Sequence, residues 1–198
     1  MQGTLVMLHG MTGSSNKMLP LASKLVPDGW EILCPEAIIP HPTRGGFAWW
    51  LRDEFNDPSG PSNPLDEKSM KQAKDSVKRV IKEMPEGPLI VGGFSQGGAI
   101  ASLMLEHSIQ DRIVGLVLIG TKTINPDGLI SAVSKIWPRP VVWMHGEKDH
   151  LVPFSVGEEH LKIFEEGLWP ITKIKHHKGH MVDISKMDEL ARTIQSMA

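Results

Sequence analysis

The chain reads as a doubly wound α/β domain, a mainly parallel sheet of about six strands with helices on both faces. Three observations predict it. Short, continuous apolar runs recur along the sequence, the pattern of strands covered on both sides. Helical patterns lie between them, and alternation of the two builds a parallel sheet with crossover helices. The 198 residues, 40% of them hydrophobic, suffice for one domain with a substantial core, so a single unit over 1–198 is expected.

Taken in order, 4–9 is a strand, 17–25 a short helix that stops before Pro27, and 31–35 a second strand. The stretch 41–64 is rich in Pro, Gly, Asn and Asp yet carries Phe47, Trp49, Trp50 and Phe55. A loop of that length inside a compact domain is functional or mobile. The spacing of Met70, Ala73, Val77, Val80, Ile81 and Met84 predicts an amphipathic helix over 66–84. Strands follow over 89–94, 113–119, 141–145 and 171–176, with helices over 96–107, 154–166 and 184–197. The last strand alternates Ile171 and Ile174 with Lys173 and Lys175, which suits a place near the sheet edge.

Composition narrows the function. A net charge of −2 with no basic cluster argues against nucleic acid as a partner. No apolar run reaches the roughly twenty residues of a membrane span. The N-terminus has no basic segment followed by a cleavage site, so a cytoplasmic address is expected. Cys34, the sole cysteine, precludes an intrachain disulfide and reads as a buried structural thiol. There is no phosphate-binding lysine loop and no GxGxxG. The histidines 145, 150, 176, 177 and 180 lack metal-ligand spacing. No cofactor and no metal are expected.

The chemistry concentrates at Gly93-Phe94-Ser95-Gln96-Gly97, where an apolar strand runs straight into a small-residue helix. A nucleophilic serine on a sharp strand-to-helix turn needs very small neighbours at minus two and plus two, and Gly93 and Gly97 supply them. The competing reading is a serine that merely caps the helix. Ser95 needs a base, and His180 is preferred because it lies in a loop just past the last strand, with His176 or His177 as competitor. His107 suits a helix end and His160 a helix surface. The imidazole needs an acid, and Asp149 follows the fifth strand, with Glu147 and Asp183 as alternatives. The order Ser, Asp, His along the chain fits a hydrolase triad. The backbone N–H groups of Gln96 and of Met11, in the loop Leu8-His9-Gly10-Met11-Thr12-Gly13, are the expected oxyanion donors. His9 is expected to brace that loop. Trp49, Trp50, Phe55, Leu151 and Met181 are candidate pocket residues, although the tryptophans could equally cover the core beneath the long loop.

Together, Gly93-Phe94-Ser95-Gln96-Gly97-Gly98, Leu8-His9-Gly10, His145-Gly146 with Asp149 and Val152-Pro153, and Gly179-His180 resemble the phospholipase/carboxylesterase family, which includes acyl-protein thioesterases. The resemblance runs from the first strand to the last helix. It implies a compact α/β-hydrolase fold, with Ser95, Asp149 and His180 as triad, Met11 and Gln96 as oxyanion donors, and no cofactor. It also implies hydrolysis of carboxylic esters or thioesters, with a small-molecule substrate or an acylated protein as partner. The loop His9-Gly10-Met11-Thr12-Gly13 departs from the family, which often has a second glycine and an aspartate there. Two other readings of the same residues are a hydrolase-fold binding protein and an amide or peptide hydrolase.

Overall fold

The computed structural model describes residues 2–52 and 64–198; Phe55 therefore lies outside the described residues. Six strands form one sheet in the order β2-β1-β5-β6-β7-β8. They are β1 Thr4–Leu8, β2 Glu31–Leu33, β5 Leu89–Phe94, β6 Ile113–Ile119, β7 Val141–Gly146 and β8 Ile171–His176, and every neighbouring pair is parallel. A short antiparallel ribbon pairs β3 Ile39–Pro40 with β4 Phe47–Ala48. Strand β8 is at the edge, as its alternation predicts, and its lysines 173 and 175 are exposed.

The apolar strands divide their side chains with period two, because successive residues point to opposite faces. Val6, Leu8, Leu89, Val91, Leu116, Leu118, Val141 and Trp143 enter a core beneath α2 Glu67–Glu83, α3 Gln96–Leu103, α4 Pro126–Val133 and α5 Phe154–Glu166. Leu5, Met7, Ile90, Val117, Ile119, Val142 and Met144 enter a second core beneath α1 Ser15–Leu25 and α6 Met187–Gln195. The sheet is thus covered on both faces, the arrangement the continuous apolar runs predict. Local caps fix the helix starts: Ser14 accepts from the N–H of Lys17, and Asp66 from that of Ser69.

Two helices and one residue depart from expectation. The helix expected over 96–107 ends at Leu103 and continues as tight 3₁₀ turns. Helix α4 was not foreseen; it is short and contains Gly128, but Pro126 sits in its first turn, where a missing N–H costs nothing. The third concerns His160, which was expected on a surface. It is buried between α5 and α3, 3.0 Å from the Ser102 hydroxyl, and burial lowers its pKa to about 3. Among the described residues no helix is long and apolar enough to cross a membrane.

The sheet order places the site. From β1 the chain goes outward to β2, while β5 lies on the other side of β1, so the strand order reverses between β1 and β5. Ligand sites in open α/β sheets form at the carboxyl ends of such a pair. Here those ends carry His9-Gly10-Met11 and Ser95.

Candidate active site

Ser95 joins β5 to α3 with φ 54° and ψ −119°, a left-handed conformation that costs a non-glycine residue about 1–3 kcal/mol. It stands at the N-cap of α3, yet its side chain makes no cap hydrogen bond. The helix-capping reading therefore loses its physical basis. The backbone is clamped: the Ser95 N–H donates to Ile119 O (2.9 Å), and the Thr121 hydroxyl donates to Ser95 O (2.7 Å). The flanking glycines are sterically required. A Cβ on Gly93 would lie 2.5 Å from Leu8 O, and one on Gly97 2.1 Å from the same atom. The next glycine, Gly98, is pressed against Thr121.

The loop after β1 closes over this turn. A Cβ on Gly10 would lie 3.3 Å from the Ser95 Cβ. The turn uses the N–H groups of Thr12, to Phe47 O, and Gly13, to Gly10 O. It leaves that of Met11 without an acceptor among the described residues. His9 braces the loop on both ring nitrogens: Nε2 accepts from the Ala37 N–H (3.1 Å), so Nδ1–H donates to Gly10 O (2.8 Å). Burial pushes its pKa below the usual histidine range, which keeps this neutral tautomer.

His180 and Asp149 meet across two loops. The imidazole Nδ1 is 2.7 Å from Asp149 Oδ2, and Asp149 is fully buried at its side chain. The other carboxylate oxygen accepts from the N–H groups of Leu151 (2.9 Å) and Val152 (2.8 Å). Asp149 is thus both a turn residue and the partner of His180. His145 Nε2 donates to Val152 O (2.9 Å) and lies 3.4 Å from Asp149 Oδ2, so it holds the same loop from beneath. Burial lowers the His145 pKa. With Nδ1–H directed to Asp149, His180 presents a bare Nε2. Its ring packs on Phe94, the residue before Ser95, at 4.7 Å, and lies 3.5 Å from where a Gly120 Cβ would stand. Gly120 follows Ile119, which holds the Ser95 N–H. The structure therefore brings Ser95, His180 and Asp149 to one sheet edge.

The competitors are occupied elsewhere. Exposed His177 pairs with Glu147, and Asp183 pairs with Lys178 (2.7 Å) while capping the turn at Ser185. His176 is buried, with Nδ1 facing the Lys178 N–H. Among the described residues no group of three or more His, Cys, Asp or Glu side chains is arranged to hold a metal ion. Cys34 is half-buried, and burial pushes its thiol up to about 11, consistent with a structural role.

The pocket candidates divide. Leu151 and Met181 are exposed beside Asp149 and His180. Trp49 and Trp50 are instead core residues, 0% and 4% exposed. Trp49 Nε1–H donates to His9 O (2.7 Å), tying it to the loop rather than to an open pocket. Sequence reasoning missed the side chain of Gln96, which accepts from the Trp49 N–H (3.1 Å) and donates to Trp50 O (3.0 Å). It also missed a cavity of about 540 Å³ beside Met11 and Phe94, walled by α1 and the 182–187 segment. The apolar face of α1 was the available signal, but it reads equally as core.

The comparisons accord with this geometry. A family model described as Phospholipase/Carboxylesterase matches residues 1–198. The chain belongs to the phospholipase/carboxylesterase family. It is 30% identical over 166 residues to acyl-protein thioesterase 1 of Cryptococcus neoformans, covering 78% of this chain and 69% of the relative. It is 28% identical over 174 residues to carboxylesterase SOBER1 of Arabidopsis thaliana, covering 80% and 74%. A Bacillus cereus carboxylesterase structure superposes with a TM-score of 0.75 at 17% identity, over 100% of this chain and 89% of that one, a likeness of fold. The family member is accordingly an α/β-hydrolase of the carboxylesterase and thioesterase class.

Proposed function

We propose that the chain hydrolyses carboxylic esters or thioesters of small-to-medium acyl groups through an acyl-enzyme on Ser95. His180 Nε2 takes the hydroxyl proton as Ser95 attacks the carbonyl carbon, and returns it to the leaving alcohol or thiol. Asp149 fixes the His180 tautomer and stabilises the imidazolium. The N–H groups of Met11 and Gln96, the latter at the positive end of α3, receive the oxyanion. Water activated by His180 then releases the acid and restores Ser95. The observation that carries this reading is the strained, uncapped Ser95 at the same sheet edge as the 2.7 Å His180–Asp149 bond. The names of the relatives suggest acyl-protein thioesters as a narrower version of the substrate.

The test is fluorophosphonate labelling with peptide mapping, alongside hydrolysis of p-nitrophenyl and thioester substrates, for the wild type and Ser95→Ala. Labelling at Ser95, absent from the variant, with kcat reduced roughly 10⁴-fold or more, is expected. A folded protein that resists the probe, or a variant that keeps most of its activity, would reject the mechanism in favour of a binding role.

A further inference from the structure

The cavity beside the loop after β1 combines apolar walls with positive charge. Its walls are apolar: Met11, Met18, Leu21, Val182, Ile184 and Met187 among them. Methionine-rich walls adapt to varied chains. Among the described residues its charged lining groups are Lys17 and Lys24 and no carboxylate lines it, although the chain as a whole has a net charge of −2. Two carboxylates of the neighbouring segment are paired with other lysines, Asp183 with Lys178 and Glu189 with Lys186.

The two lysines are spaced along the cavity. They are seven residues apart on α1, two helical turns and about 10 Å, on one face. Lys17 Nζ donates to Thr12 O (3.3 Å), in the loop after β1. Lys24 stands two turns farther along α1, and the ion pairs among the described residues include neither lysine. Two of its lining residues adjoin the reacting centre: Gly10 lies against Ser95, and Phe94 packs on the His180 ring.

We infer that this cavity selects esters whose apolar arm carries a negative charge, with Lys17 and Lys24 receiving that charge. The inference rests on the esterase reading of the same site and adds the class of substrate. An apolar arm in the channel gains by leaving water, and a terminal carboxylate then reaches an ammonium instead of a hydrocarbon wall. A wholly neutral chain of equal length would leave both lysines without a counter-charge.

The experiment compares matched pairs in wild type, Lys17→Met, Lys24→Met and the double variant; methionine keeps the apolar stem and removes the charge. One pair carries the charge on the acyl side, mono-p-nitrophenyl suberate against p-nitrophenyl octanoate. The other carries it on the alcohol side, 6-acetoxyhexanoate against hexyl acetate. The readout is the ratio of kcat/KM, anionic over neutral, within each protein. Exposed ion pairs are individually weak, so a fall of roughly five- to tenfold in the double variant is expected, in one of the two pairs, with a similar fall in wild type at about 0.5 M salt. The responding pair identifies the arm that enters the cavity. A ratio unchanged by the lysine substitutions in both pairs overturns the inference while leaving the esterase reading intact. If no ester is turned over and Ser95 resists fluorophosphonate, the esterase reading fails instead. The cavity is then read by calorimetry with suberate against neutral octan-1-ol: suberate binding several-fold weaker in the double variant supports the anion site, and equal binding overturns it.

Discussion

The serine turn and the acid–base pair are built by opposite means. The turn is local and steric. Within five residues, Gly93 and Gly97 let two backbone segments pass within about 2–2.6 Å of where a Cβ would stand, and Ser95 holds a left-handed φ of 54°. The acid–base pair joins residues 31 apart and is held by hydrogen bonds: two N–H groups on one oxygen of Asp149, His180 on the other, and His145 bracing the loop. Contact between the two loops is fixed by Gly146, which packs against the carbonyls of Lys178 and Gly179, and by the Lys148 N–H to Lys178 O (3.1 Å). Steric construction ties function to fold, so damage there costs both. Hydrogen-bonded construction separates them, so the chemistry can be lost while the fold survives.

Asp149→Asn should break the second region with the largest effect. The amide oxygen still accepts from Leu151 and Val152, but an NH₂ group faces His180 Nδ1 and reverses its tautomer. A fall in kcat of roughly 10³–10⁴-fold is expected, with stability changed by about 1 kcal/mol or less. Steady-state kinetics and a urea melt on the same sample check both halves. A loss under tenfold would mean that Asp149 is only a turn residue.

Gly97→Ala tests the first region. The new methyl would stand 2.1 Å from a backbone oxygen that cannot turn aside, so a loss of about 3 kcal/mol or more in urea unfolding is expected, along with activity. Gly29→Ala sharpens the comparison. Gly29 has φ 76° but open space around it, so only the conformational cost of about 1–2 kcal/mol applies. Equal costs at the two sites would show that close packing is not what fixes the turn.

The same division governs what the sequence reveals. A steric demand recurs at fixed spacing, so the serine turn and both glycines are legible from one short stretch. Parallel strands with both faces covered are legible as apolar runs, and β8 as an edge from its alternating lysines. Hydrogen-bond partners across 31 residues are not spaced by any local rule; only chain order and loop position pointed to His180 over His177, and the pairing of His177 with Glu147 needed coordinates. His160 misleads because a neutral, hydroxyl-bonded histidine looks like a surface residue in the helical pattern. Trp49 and Trp50 illustrate a third limit, since an aromatic residue near a site serves a pocket or the core depending on tertiary packing. The cavity along α1 was hidden for the same reason.

The loop after β1 combines both constructions, and pH separates them. His9 must be neutral for Nε2 to accept from Ala37, and its folded pKa lies below the ordinary 6.5. Above about pH 6.5 neither state binds the extra proton. Below it the unfolded chain binds a proton that the folded one refuses, so stability falls as pH drops toward the folded pKa, by at most about 1.4 kcal/mol per pH unit. His145, shifted the same way, adds to the slope. Unfolding at pH 7 and pH 5.5 should show His9→Gln with a flatter dependence than wild type. An unaltered slope would mean that His9 does not hold the loop through its neutral tautomer.

Met11→Ala has the smallest expected effect and bears most directly on how the oxyanion is held. The proposed donor is the backbone N–H, which alanine keeps. The side chain is 36% exposed and lines the cavity, so its truncation removes apolar surface that substrate would otherwise meet. Part of a methionine side chain is worth about 0.7 kcal/mol in this setting, or roughly threefold. That loss should appear in KM for an octanoyl ester, with kcat less affected, because a contact made equally before and during reaction does not change the chemical step. A fall in kcat of a hundredfold would instead assign the side chain a part in shaping the turn, and would move Met11 from the class of backbone donors to the steric construction seen at Gly97.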